Sequence, residues 1–373
     1  MRETVRIARK LLEQTGEHLV ISVYFDLDPA EFATPPARET EVHSLLDQAP
    51  RPDGDLDHDA RKTLEADFKR IESFLLSDDV PVSGSRGVAV FCSGQDSLFE
   101  TVALTTPTAA RAVVAKTPFV EPMVVGHELG EWCLALVDRR SARIFVGAGK
   151  RIEEREQIKD SVPGTIRGDI QHQRSVEAEA DAHLRKVSEA LLREFEQRRF
   201  LTLAMGGPEE DVDRLRELLR NDLRPVLAEG RVELDVAVAG ESDVLEAMTG
   251  LMVAEQRSAR DKALEDLANR VGAGGAAVTG LADTLEALAE RRVETLLLAQ
   301  DFEASGGRCP SCGLLTTDGE GSCPADGTAL EPLADLREAA VEVALLQDAE
   351  VLVVEEPPSE IRRGGGIAAL LRF

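Results

Sequence analysis

From Val176 to Phe195 the apolar residues Val176, Ala180, Leu184, Val187, Leu191 and Phe195 recur every three or four positions, which predicts one long amphipathic helix. Turn-forming residues precede it, Ser161-Val162-Pro163-Gly164-Thr165-Ile166-Arg167-Gly168-Asp169, and predict a loop. Two strand-like runs come just before, 132–137 and 143–146, joined by Asp138-Arg139-Arg140-Ser141 and predicting a hairpin. Hairpin, loop and return helix place the loop tip far from the core, where functional residues are often carried. The alternative is a surface loop without chemistry.

Elsewhere the patterning alternates between helix and strand. In the first third, a short helix precedes the apolar run 18–25, which predicts a strand buried on both faces. A helix capped by Asp57 or Asp59 then buries Ala60, Leu64, Phe68, Ile71 and Leu75. The run 87–92 predicts a core strand with 98–104 as its hairpin partner, and the two prolines in 117–122 argue against regular structure there. After Phe200 the pattern predicts a strand at 201–205, closed by Gly206-Gly207. It then predicts a helix opened by Pro208, with Leu215, Leu218, Leu219, Leu223 and Val226 as its buried stripe, ended by Gly230. A strand at 232–238 follows. The last third begins with a charged helix over 257–270, then alternates helix 281–291, strand 293–298, helix 336–346 and strand 351–354, and ends on an apolar strand after Gly364-Gly365-Gly366.

Together these elements predict an α/β protein of three α/β domains: 1–125, a central mixed-sheet domain at 126–255 with a projecting loop and long helix, and a layered α/β domain at 256–373. A length of 373 residues agrees with more than one core.

The formal charge of −26 disfavours broad, nonspecific nucleic-acid binding but leaves room for a local basic face. Adaptation to a salty host is another source of such acidity. No apolar run is long enough to span a bilayer and no leader pattern opens the chain, so the expectation is a cytoplasmic protein with no membrane partner.

Inside the last third, Cys309-Pro310-Ser311-Cys312-Gly313 has the spacing of a metal knuckle, and a second copy follows as Cys323-Pro324-Ala325-Asp326-Gly327. Asp326 stands where a fourth cysteine is expected. Cys309, Cys312, Cys323 and Asp326 are all accepted zinc-ligand types, and four protein ligands leave no open position, so the expected ion is structural zinc in a knuckle insertion at 309–327. The alternative is a turn that has lost its metal. Cys92 and Cys133 lie in apolar strands and read as reduced core residues.

The three-part order, Thr284-Leu285-Glu286-Ala287-Leu288 leading into Val293-Glu294-Thr295-Leu296-Leu297, and the ending Gly365-Gly366-Ile367-Ala368-Ala369-Leu370-Leu371-Arg372-Phe373 resemble the archaeo-eukaryotic class-one release factors and Pelota, and more closely the bacterial branch of that superfamily. In active members, the resemblance implies, the central loop carries Gly-Gly-Gln before a long helix and positions a water against the peptidyl-tRNA ester. The matching stretch here is Arg167-Gly168-Asp169-Ile170-Gln171-His172-Gln173-Arg174. Gly168 would allow backbone approach and Gln171 would hold the water. Their spacing departs from the motif, and Asp169 is repelled by a phosphate-rich acceptor end. Gln171 and Gln173 also read simply as polar residues opening a helix, and His172 and His183 have no recognisable partner.

Stop-codon reading in this family uses Asn-Ile-Lys-Ser, which is absent from the chain. Arg167, Arg174, Arg185 and Lys186 are candidate contacts to ribosomal RNA, with Lys150-Arg151, Arg198-Arg199 and Arg362-Arg363 as further basic pairs. All are interleaved with acids, as on a solvated helix face. The resemblance implies a ribosomal A-site role in rescue or hibernation, with a translational GTPase as partner through the second and third domains. An active peptidyl-tRNA hydrolase and a zinc-stabilised scaffold outside translation are the alternatives.

Overall fold

The structure, a computed structural model, describes residues 3–14, 16, 18–28, 32, 34–51, 57–81, 85–104, 107–125, 131–148, 151–160 and 170–373, with the backbone alone at 3, 125 and 170–175. The chain is of mixed α/β class and forms two compact units. One is mainly His127–Arg257, and the other joins Thr4–Val82, Arg86–Gly126 and Ser258–Phe373.

The N-terminal part of the second unit contains α1 (Glu3–Gln14), β1 (Val20–Asp26), α2 (Pro35–Asp47), α3 (His58–Leu75), β2 (Gly87–Ser93), β3 (Leu98–Leu104), β4 (Arg111–Ala115) and α4 (Glu121–Val125). Its strands form an antiparallel sheet in the order β3-β2-β1-β4. As the apolar run predicts, β1 is buried on both faces: Ile21, Val23 and Phe25 face α2 and α3, while Val20 and Tyr24 join the opposite core. Asp57 caps α3, accepting from the Ala60 N–H at 2.7 Å, and Leu64, Phe68, Ile71 and Leu75 are its buried stripe. Residues 117–120 are irregular, as the two prolines argued, and α4 begins only at Glu121. Pro122 lies in its first turn, where the missing N–H costs no helical bond.

The central unit contains β5 (Trp132–Val137), β6 (Ser141–Ala148), β7 (Arg151–Lys159), α5 (Ile170–Arg198), β8 (Thr202–Gly206), α6 (Glu209–Leu218), a 3-10 turn at Asn221–Val226, β9 (Leu227–Val232) and the first part of α7 (Glu241–Gly272). The sheet order is β7-β6-β5-β8-β9, with β5 parallel to β8 and antiparallel to β6. Alternation along β5 divides two cores. Cys133, Ala135 and Val137 pack with Leu184, Val187 and Leu191 of α5, and Trp132, Leu134 and Leu136 pack with Val244 and Met248 of α7.

Three predicted elements differ. The helix expected to reach Val226 ends at Leu218, and the chain continues as the 3-10 turn containing Pro225. The strand expected at 232–238 lies earlier, as β9. Beyond it Asp235 accepts the Ala237 N–H at 2.7 Å and Arg143 donates to the Ala239 carbonyl at 2.7 Å, so the acid that mimicked strand alternation holds a turn instead. The helix expected from Arg257 begins at Glu241.

The C-terminal part comprises β10 (Ala277–Thr279), α8 (Leu281–Ala289), β11 (Val293–Ala299), β12 (Gly306–Arg308), β13 (Leu315–Thr316), β14 (Glu331–Leu333), α9 (Leu336–Leu346), β15 (Glu350–Val354), α10 (Ser359–Arg363) and β16 (Ile367–Leu371). Strands β10-β16-β11-β15 make a mixed sheet, parallel only between β11 and β15. A small sheet, β13-β12-β14, carries the cysteine turns.

The two parts of this unit meet through a polar contact inside the apolar core. The Glu338 carboxyl on α9 accepts the backbone N–H groups of Val120 and Glu121 at 2.8 and 3.1 Å. Beside it Arg337 pairs with Glu121 and donates to the Ala299 carbonyl at 2.8 Å. Burial raises the Glu338 pKa to about 8; the Val120 N–H opposes this, and Glu121 and Glu342 add to it.

Candidate functional site

The sequence-predicted loop at 161–169 falls between β7 and α5 and lies outside the described residues. Arg167, Gly168 and Asp169 lie outside the described residues, as do the side chains of Gln171 and Arg174. The backbone of 170–175 is helical, so Gln171 belongs to the first turn of α5.

His183, 13 residues into the helix, is fully buried, and its Nδ1 lies 2.8 Å from Asp160 Oδ2. The other Asp160 oxygen accepts from Lys186 Nζ at 2.6 Å, and the Asp160 N–H donates to the Arg140 carbonyl in the β5–β6 turn. Asp160 therefore ties the end of β7 to both α5 and the hairpin turn. The hydrogen bonds from Lys186 and His183 hold its carboxyl below the usual range. His183 Nε2 is buried without a hydrogen-bond partner among the described residues. The sequence reading gave His183 no partner because the acid is 23 positions away across a loop. The signal available was a histidine on the apolar stripe, one position before Leu184.

Of the candidate RNA contacts, Arg185 lies 3.8 Å from Asp181 and Lys186 is committed to Asp160. Arg198 pairs with Glu153 at 3.1 Å. Strand β7 is itself an ion-paired edge: Arg143 holds Glu154 at 2.7 Å, Arg155 holds Glu153 at 2.6 Å, and Arg193 holds Glu156 at 3.2 Å.

The four metal-ligand candidates converge in the second unit. One donor atom from each of Cys309, Cys312, Cys323 and Asp326 lies within 4.8 Å of all the others. Cys312 and Cys323 sulfurs are 3.6 Å apart, and Cys309 Sγ is 3.5 Å from Asp326 Oδ2. Tetrahedral zinc–thiolate bonds of about 2.3 Å put sulfurs roughly 3.8 Å apart, so the donors fit such an ion with little movement. The two knuckles are near copies. Gly313 and Gly327 each take φ of 75° and donate to the carbonyls of Cys309 and Cys323 at 2.9 Å, a conformation that favours glycine. Hydrogen bonds from Thr328 hold the Asp326 carboxyl far below its usual range, keeping it an anionic donor. The cluster can hold a metal, and its four protein donors leave no position for substrate.

Cys92 and Cys133 are free and buried, as expected of core thiols. Burial pushes Cys92 up to about 12 and raises Cys133 further, so neither is a thiolate at neutral pH. No described helix is long and apolar enough to cross a membrane.

Residues 118–250 match the family described as bacterial archaeo-eukaryotic release factor family 10. Peptide chain release factor subunit 1 of Methanopyrus kandleri is 30% identical over 197 residues, covering 48% of this chain and 46% of that protein. The protein of the same name from Archaeoglobus fulgidus is 28% identical over 270 residues, covering 64% and 65%. The matches thus span less than two thirds of either relative. Among solved structures, the archaeal translation termination factor aRF1 aligns over 100% of this chain and 97% of its own, with 20% identity and a TM-score of 0.27. The family match covers the β5–β9 sheet and α5, and over this central part the chain is similar to the bacterial branch of the archaeo-eukaryotic release factors.

Proposed function

We propose that this protein is a ribosome-associated translation factor of the cytoplasm that occupies the A site, in rescue or hibernation, without decoding stop codons. The observation that carries the reading is the family match over 118–250, the segment built around β7, the loop at 161–169 and α5. The loop sequence favours occupation over chemistry. Gly-Gly-Gln is replaced by Arg167-Gly168-Asp169-Ile170-Gln171, which adds a carboxylate and moves the glutamine into the helix. Absence of Asn-Ile-Lys-Ser leaves stop-codon reading without its residues.

In this reading 1–125, 126–255 and 256–373 act as three domains. Arg167, Arg174, Arg185 and Lys186 face ribosomal RNA, a translational GTPase docks on the second and third domains, and zinc on Cys309, Cys312, Cys323 and Asp326 is structural. Peptidyl-tRNA hydrolysis is the second reading, favoured by the retained Gly168 and Gln171. A release assay on ribosomes carrying P-site peptidyl-tRNA separates them. Occupation predicts no release above background by the wild type, and unchanged ribosome binding by Gly168→Ala and Gln171→Ala. Release lost in both variants with binding retained overturns occupation in favour of catalysis.

A further inference from the structure

Backbone hydrogen bonds alone bring the three thiols of the cysteine turns together. In the first turn the Gly313 N–H donates to the Cys309 carbonyl and the Cys309 N–H to the Leu314 carbonyl, each at 2.9 Å. In the second, the Gly327 N–H donates to the Cys323 carbonyl at 2.9 Å and the Cys323 N–H to the Thr328 carbonyl at 2.7 Å. Strand β12 pairs with both β13 and β14, and Ser322 bridges Ala329, so the turns are held against each other. The fold has thereby closed the loop between Cys312 and Cys323 before any bond joins their sulfurs.

The three sulfurs are not equivalent. Cys312 is exposed and lines a cleft of about 960 Å³, which gives a small molecule room to reach it. Cys309 is fully buried, with its Sγ 3.5 Å from Asp326 Oδ2. Cys323 is also buried; its Sγ accepts the Ala325 N–H at 3.4 Å and lies 3.6 Å from Cys312 Sγ. A disulfide has sulfurs about 2.05 Å apart, so this pair has roughly 1.5 Å left to close. Residues 310–313 are all exposed, and that turn is free to supply the movement.

We propose that Cys312 and Cys323 are a reversible redox pair, oxidised by a small-molecule disulfide of the glutathione class. The Cys312 sulfur attacks the small disulfide, whose S–S bond breaks; one small thiol leaves with the Cys312 proton and a mixed disulfide remains. Cys323 then attacks the Cys312 sulfur, and the second small thiol leaves with the Cys323 proton. The protein loses two hydrogens and the small disulfide gains them. Oxidation stops at one bond, because Asp326 stands where a fourth cysteine would pair with Cys309. Only Cys309 and Asp326 then remain as donors, too few for a tetrahedral structural ion, so metal and disulfide exclude each other. This pairing goes beyond the ribosomal role and does not depend on it.

The test equilibrates the full chain, with a chelator present, in buffers of rising oxidised-to-reduced glutathione ratio. Free thiols are then blocked and the chain is cut after glutamate. Cleavage at Glu303, Glu320 and Glu331 puts Cys309 and Cys312 on peptide 304–320 and Cys323 on peptide 321–331. The expected result by mass spectrometry is these two peptides joined, and separated again by dithiothreitol. Cys92 and Cys133, both fully buried, stay thiols. Cys309→Ser keeps the cross-link and Cys312→Ser loses it, with circular dichroism verifying that both variants fold. A zinc salt in place of the chelator lowers the joined fraction. Peptides that never join even in oxidised glutathione alone, a cross-link surviving in folded Cys312→Ser, a disulfide confined to 304–320, or a joined fraction unchanged by zinc overturns the proposal.

Discussion

His183 Nδ1 lies 2.8 Å from Asp160 Oδ2, joining the middle of α5 to the residue that directly follows β7. The pair fastens the end of β7 to α5. His183→Ala removes a fully buried ring and strips Asp160 of one partner, so it lowers the unfolding free energy by roughly 2–4 kcal/mol in urea denaturation. Because Lys186 and His183 depress the Asp160 pKa, the stability they contribute is present above the ordinary carboxylate range and lost as pH falls through the depressed value. Asp160→Asn should therefore flatten the acid limb of the stability curve. An unchanged acid limb would show that the contact contributes nothing.

Glu338 has the opposite sign. Its folded pKa, about 8, lies above the ordinary 4.5, so the folded state binds the extra proton across that window. The stabilising effect is full below 4.5 and is lost as pH rises towards 8, at most roughly 5 kcal/mol. Tyr24, Glu121 and Glu342 face the same pocket and oppose the charge, with Arg337 beside it on Glu121. In Glu338→Gln the midpoint temperature should fall less between pH 5 and 8 than in the wild type. Parallel curves for the two proteins would contradict the assignment.

Gly207 closes β8 with φ of +123°, and a Cβ there would sit 2.0 Å from the Val137 carbonyl oxygen. Gly207→Ala meets backbone on the central strand and cannot be relieved by a rotamer, so a loss of roughly 2–4 kcal/mol is expected from thermal or urea unfolding. Wild-type stability in this variant would mean that β8 ends differently.

The cluster at Cys309, Cys312, Cys323 and Asp326 should bind one zinc ion per chain, measured by elemental analysis of protein purified without chelator. Cys309→Ser should lose the metal. Asp326→Cys should retain it more tightly against a competing chelator, since thiolate is the softer donor. Metal-free wild type, unable to take up zinc on titration, would show that the two turns stand without an ion.

Much of this architecture was legible in local pattern. The stripe at Leu184, Val187 and Leu191, the buried run Trp132–Val137 and the paired Cys-Pro turns are each set by neighbours three or four positions away, and each lies where the pattern put it. Strand β7 was not legible. Its residues Glu153, Glu154, Arg155 and Glu156 point to ion pairs across the sheet edge and onto α5 rather than into a core, so no apolar alternation marks it. The same holds for Arg38, which looks like a surface residue but is buried and donates to the carbonyls of Phe32, Leu75 and Ser77. Partners that close over tens of residues, such as Asp160 with His183 or Glu338 with Val120, leave no trace in periodicity.

The central claim is most directly tested by cosedimentation of the purified protein with ribosomes carrying or lacking a P-site peptidyl-tRNA, across a salt series. A-site occupation predicts pelleting with ribosomes at low salt despite the −26 charge, weakening as salt rises, with empty ribosomes bound at least as well as loaded ones. Protein left in the supernatant at every salt concentration would contradict a ribosomal role.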